Sequence, residues 1–152
     1  MIIGNVGVDG RPFEVGSGKV KALFICSHNA ARSQLAEGLM RHLYGDRFDV
    51  HSAGIEPLGV HPAVHTVLKE VGIDASKQWS KGLERYERED FDYVVTLCEG
   101  AHERCSFFPG RDIIPRPFRD PVITREPGED VLTAFRAVRD EIKAWLVETF
   151  GP

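Results

Sequence analysis

The stretch Val20-Lys21-Ala22-Leu23-Phe24-Ile25-Cys26-Ser27-His28-Asn29-Ala30-Ala31-Arg32-Ser33 sets the fold of this chain. Val20–Ile25 is an apolar run broken only by Lys21, the pattern of a strand covered on both faces. Cys26 follows at once, and Arg32 stands six residues later, where a new periodicity begins. Leu35, Leu39, Leu43 and Ala36, Met40 recur at helical spacing, which predicts a helix over roughly 32–44, stopped at Gly45. A loop between a strand end and a helix start can turn several N–H groups onto one tetrahedral oxyanion. Arg32 adds a bidentate fork, and the same positive field favours the thiolate, which is the nucleophilic form. The segment Cys26, Ser27, His28, Asn29, Ala30, Ala31, Arg32 can therefore both bind an oxyanion and attack its central atom.

Downstream of this segment, strands and helices alternate. Phe48–Ala53 reads as a second strand. Pro62 suits the first turn of a helix whose buried face is Val64, Val67, Leu68 and Val71 and whose stop is Gly72. Ser80 is placed to cap a shorter helix running to about Arg88. Phe91–Leu97 is a third strand, residues 98–110 a polar loop, and Arg111–Pro115 a short fourth strand. Pro115, Pro117, Pro121 and Pro127 exclude a long helix before Gly128. Glu129 and Asp130 suit the N-terminus of a final helix, along which Val131, Phe135, Val138, Ile142, Trp145 and Thr149 form a stripe. This order predicts an α/β domain over 19–152, with three layers and a four-stranded parallel sheet flanked by helices. Residues 1–18 form an N-terminal extension with two open readings: a hairpin turning at Val8-Asp9-Gly10-Arg11, or a flexible leader.

Ligands of such sheets lie outside the carboxyl ends of the strands. The first strand ends at Cys26 and the third at Cys98, so two thiols are expected on one rim. A third, Cys105, shares the loop with Cys98, among Glu99, His102, Glu103 and Arg104. Surface polarity predicts that this loop can move. Three thiols so placed suit a relay. The first attacks substrate, the second forms a disulfide with the first, and the third carries the disulfide outward to an external reductant. The structural alternatives are buried filling for Cys98, a turn role for Asp120-Pro121, and a left-handed backbone position for Asn29. A metal site would draw on His28, His102 and the cysteines, but no Cys-x2-Cys pair is present. No metal is expected.

The bulk numbers agree with one domain. At 152 residues the chain buries roughly 70% of the surface its unfolded form exposes. A net charge of −4 with no basic stripe argues against a nucleic-acid partner. The apolar runs are strand-sized, so no membrane partner is expected. The N-terminus lacks the pattern of a secretory signal, and the expected compartment is the cytoplasm. Three cysteines, an odd number, do not suit a static disulfide framework.

Cys26-x5-Arg32-Ser33 after a strand, Asp120-Pro121 late in the chain and this element order resemble the low-molecular-weight phosphatase fold. Val95-Thr96-Leu97-Cys98-x6-Cys105 resembles its thioredoxin-coupled arsenate reductase branch. Ser52-Ala53-Gly54-Ile55 and Val71-Gly72-Ile73-Asp74 fit the same family, and the likeness spans about residues 20–148. It implies that Cys26 attacks arsenic(V), that Asn29 and Ser33 hold the loop and the thiolate, and that Arg32 clamps the oxyanion. It implies that Asp120 protonates the departing hydroxide. Cys98 would then release arsenite by forming Cys26–Cys98, and Cys105 would form Cys98–Cys105 for thioredoxin to reduce. No bound cofactor is implied, and phosphate is expected to bind weakly in place of arsenate. Family members hold potassium beside the loop with an asparagine, a glutamate, a serine and an aspartate. Asn29, Glu37 and Ser52 match three, and Lys81 stands near the fourth, where its ammonium would take the cation's place. The competing reading is a phosphotyrosine phosphatase using Cys26, Arg32 and Asp120. Pro121-Val122-Ile123 offers no aromatic ring to stack on a substrate, which favours the reductase. A third reading, an arsenic or redox sensor, would call for a DNA-binding helix pair and a basic face, and neither is visible.

Overall fold

Four parallel strands, β1 (Val20–Cys26), β2 (Phe48–Gly54), β3 (Tyr93–Thr96) and β4 (Asp112–Pro115), form one sheet in the computed structural model. Their order is β2-β1-β3-β4. The structure describes residues 18–99 and 108–151. The expected hairpin or leader before Gly18, and Cys105 with most of its loop, lie outside the described residues. The sheet order puts β1 at the centre, and its sequence explains why. Leu23, Phe24 and Ile25 are fully buried, each contributing roughly 1.5–3 kcal/mol of burial free energy. Only a strand with neighbours on both edges and cover on both faces can bury a continuous run of this kind.

The pleat sends alternate residues of β1 to two cores. Ala22, Phe24 and Cys26 face the larger one, built with α1 (Arg32–Tyr44), α2 (Pro62–Lys69) and α3 (Val131–Phe150). Leu23 and Ile25 face the smaller one, with Ala53, Val94, Tyr86, Phe91 and Phe108. Register places Cys26 opposite Gly54 on β2, and Ile25 opposite Thr96 on β3. Cys98 follows β3 by two residues, so the ends of neighbouring strands carry both cysteines. No described helix is long and apolar enough to cross a membrane.

Three expectations shift. The helix from Ser80 to Arg88 is replaced by a single 3-10 turn, Leu83–Tyr86. Residues 80–82 are instead drawn alongside β2, where Gly54 N donates to Lys81 O at 2.8 Å and Gly54 bridges Gly82 in parallel. Ser80 Oγ donates to His28 O at 3.3 Å rather than capping a helix. In α3 the buried line runs Phe135, Val138, Ile142, Leu146 and Phe150. Trp145, a member of the expected stripe, lies at the edge of this line against Phe118 and Phe150. The third strand is shorter than Phe91–Leu97, although both end residues are buried beside it. The start of α3 falls where expected. Asp130 caps it, its carboxylate accepting from Thr133 N at 2.8 Å.

Candidate active site

Cys26 is a free, buried cysteine at the carboxyl end of the central strand. Its Sγ lies 2.9 Å from Ser33 Oγ in the first turn of α1. The loop between them bends through Asn29, whose φ of +47° is the one left-handed non-glycine value among the described residues. The outer carbonyls of this loop are tied to the following segment. Ser27 O, His28 O and Ala30 O accept from Glu56 N, Leu58 N and His61 N at 2.9, 3.1 and 2.9 Å. A loop so fixed, between a strand end and a helix start, can offer its N–H groups to an anion, as in an anion-binding nest.

Asn29 orders the hydroxyls beneath. Its Oδ1 accepts from the backbone N–H of Lys81 at 2.8 Å and from Gln34 Nε2 at 2.9 Å. A backbone N–H can only donate, so the amide orientation is fixed and Nδ2 faces the other way. Nδ2 donates to Ser33 Oγ at 2.6 Å and Ser52 Oγ at 3.0 Å. Ser33 thus accepts from Asn29 and has its own proton left to donate to Cys26 Sγ. Ser52 donates in turn to Glu37 Oε1. Lys81 Nζ reaches the same carboxylate oxygen at 3.4 Å and Trp79 O at 2.7 Å. The lysine ammonium therefore shares Glu37 Oε1 with the Ser52 hydroxyl, while the Lys81 backbone N–H meets Asn29 Oδ1. Burial holds the Lys81 pKa below its ordinary value, and Glu37 pulls it back up.

Arg32 is almost completely buried. Its guanidinium donates to Phe118 O at 3.1 Å and Leu97 O at 3.4 Å, and stands 3.5 Å from Asp120 Oδ2. Two loops distant in sequence thus aim it at the cradle. The other oxygen of Asp120 accepts from Val122 N at 2.9 Å, closing the turn that carries the Asp-Pro pair. A cavity of about 450 Å3 opens over Cys26, Arg32 and Asp120. Among the described residues no group of three or more His, Cys, Asp or Glu side chains is arranged to hold a metal ion.

The structure brings together Cys26, Ser27, His28, Asn29, Ala30, Ala31, Arg32, Ser33 and Asp120. It sets Cys98 beside them on the next strand end. Cys98 takes part in a disulfide, and because Cys26 is free that bond does not join these two. Sequence reasoning missed Gln34, which is fully buried and donates to both oxygens of Asn29. It also missed the cavity wall formed by Leu58, Val60 and His61. Only the position of Gln34, directly after Ser33 on the inner face of α1, gave a signal.

A loop of this polarity and a buried guanidinium can hold a tetrahedral oxyanion, with a sulfur nucleophile beneath it and a carboxyl at its edge. The chain belongs to the low molecular weight phosphotyrosine protein phosphatase family, whose pattern matches residues 21–149. Arsenate reductases are among its relatives within that family. The arsenate reductase of Halalkalibacterium halodurans is 41% identical over 120 residues, covering 78% of this chain and 86% of that protein. That of Bacillus subtilis is 39% identical over 128 residues, covering 82% and 91%. A solved arsenate reductase in its reduced state superposes with a TM-score of 0.70 at 31% identity, covering 85% of this chain and 95% of the other. A thioredoxin-dependent arsenate reductase of Corynebacterium glutamicum gives 0.63 at 29% identity, covering 89% of this chain and 64% of that one.

Proposed function

We propose that this chain reduces arsenate to arsenite through Cys26, Cys98 and Cys105, with thioredoxin as electron donor. The Cys26 thiolate attacks As(V) held by the loop N–H groups and Arg32. Asp120 gives the proton that lets hydroxide leave as water. Cys98 then attacks Cys26 Sγ, the S–As electron pair passes to arsenic, and arsenite departs as Cys26–Cys98 forms. Cys105 attacks Cys98, freeing Cys26, and thioredoxin reduces Cys98–Cys105. Two electrons pass per turnover, all through sulfur.

The observation that carries this reading is a free Cys26 in an anion loop, one strand away from a Cys98 already held in a disulfide. A phosphatase needs only Cys26, Arg32 and Asp120, and gives Cys98 no reason to be redox-active. Phosphate shares the geometry of arsenate and competes for the cradle.

The test is arsenite formation with thioredoxin, its reductase and NADPH, alongside a thiol count. Cys26→Ser abolishes turnover. Cys98→Ser and Cys105→Ser abolish multiple turnover but spare hydrolysis of an artificial phosphate ester. Full thioredoxin-driven activity in Cys105→Ser would overturn the relay.

A further inference from the structure

The cavity over Cys26 is larger than an inorganic anion requires. Its volume is about 450 Å3, within the range of sites that take small organic ligands. An oxyanion of five heavy atoms displaces on the order of 100 Å3, on a scale of roughly 30 Å3 per water. The surplus space is apolar. Beyond Cys26 and Arg32 its walls include Leu58, Val60, Val122 and Ile123. Leu58 is 71% exposed and Ile123 73% exposed, yet they stand on two separate loops that line one mouth. Both loops are tied to the anion site. Leu58 N donates to His28 O, and Val122 N to the Asp120 carboxylate that faces Arg32. The ring of His61 anchors the first loop, accepting from Ala63 N at 3.0 Å and packing on Phe135. Arsenate has no apolar surface to bury there.

We propose that this mouth is a subsite for an apolar substituent on arsenic, and that the chain also reduces organic arsonates, R–AsO(OH)2, with R an aryl group. The inference rests on the arsenate-reductase reading above. Cys26 attacks As(V), one hydroxide leaves as water with a proton from Asp120, and the As–C bond stays intact, with R against the aliphatic walls. Cys98 attacks Cys26 Sγ and the S–As pair returns to arsenic. The products are the Cys26–Cys98 disulfide, the arsonous acid R–As(OH)2 and one water, and the two thiols supply both electrons. Thioredoxin closes the cycle as for arsenate.

The experiment supplies the full chain with thioredoxin, its reductase and NADPH, and offers arsenate, methylarsonate or phenylarsonate separately. Trivalent products are identified by chromatography with arsenic detection. Phenylarsonate is expected to be reduced with kcat/KM at least about tenfold above methylarsonate, as burial of a ring predicts. Leu58→Asn/Ile123→Asn is expected to cut that ratio about tenfold. Both side chains are largely exposed, and Ile123→Asn alone serves the same comparison if the double variant fails to fold. Reduction of arsenate but not phenylarsonate would overturn the inference and leave the arsenate reading standing. So would a ratio that the substitutions do not move. Failure on arsenate as well would overturn the reading beneath it.

Discussion

Asn29 carries four side-chain hydrogen bonds on a left-handed backbone, and each feature depends on the other. A left-handed residue costs roughly 1 kcal/mol or more unless local bonds hold it. Gln34 and Lys81 N supply that hold, and in return the amide sends its two protons to Ser33 and Ser52. Ser33→Ala removes the donor to Cys26 Sγ. Hydrogen bonds to charged groups are worth about 1.5–3 kcal/mol, so single-turnover arsenate reduction is expected to slow roughly 10–100-fold. An unchanged rate would show that Ser33 only shapes the loop. Lys81→Met leaves the buried Glu37 carboxylate with Arg41, 2.8 Å away, as its remaining charged partner. Stability is expected to fall by about 1–3 kcal/mol. Potassium chloride is then expected to raise the melting temperature of the variant above that in sodium chloride, while the native chain shows no such difference. Cys26, Asn29, Arg32 and Ser33 were legible because strand, loop and helix start are contiguous. Gln34 was not, since a glutamine on a helix usually faces water and only the fold shows it buried.

At the scale of elements, β1, α1 and α2 follow their apolar periods closely because burial alone decides them. The segment 80–88 does not. Its local pattern permits a helix, but pairing of residues 80–82 beside Gly54 takes up the backbone first, and only a 3-10 turn remains. Gly54 itself shows why β2 can end so near the anion loop. A Cβ there would lie 2.6 Å from Asn29 N and 2.8 Å from His28 C, both main-chain atoms that cannot swing aside. Gly54→Ala is therefore expected to cost roughly 1–3 kcal/mol, read by denaturant unfolding, and to lower arsenate turnover more than stability alone explains. The α2–α3 contact is tied by Glu70, which meets Arg136 and Arg139 at 2.8 Å each. The Arg136 hydrogen bond is the main cause that lowers Glu70 from 4.5 to about 2, with Arg139 adding to it. A depressed carboxylate stabilises the fold above its unfolded value, and that stabilisation is lost as pH falls from about 4.5 towards 2. The melting temperature is expected to drop across that window, and less steeply in Glu70→Gln. Equal slopes in the two proteins would rule out this contribution.

For the whole molecule, the sheet order is what sets Cys26 and Cys98 on one rim. Because β3 lies directly beside β1, residues far apart in sequence meet on one rim, and Arg32 is pinned by Leu97 O and Phe118 O from two loops. The rim was legible from the α/β alternation. The aliphatic mouth was not, because Leu58 and Ile123 are isolated in polar, proline-rich stretches, and only the folded loops bring them to one cavity. The central claim is that the two electrons that reduce arsenate come from Cys26 and Cys98, which end joined as a disulfide. It is tested most directly with Cys105→Ser, reduced, given one equivalent of arsenate, alkylated and mapped by mass spectrometry. The account predicts one arsenite released per chain and a trapped Cys26–Cys98 disulfide. Arsenite released with Cys26 and Cys98 both still alkylated, or no arsenite at all, would contradict it.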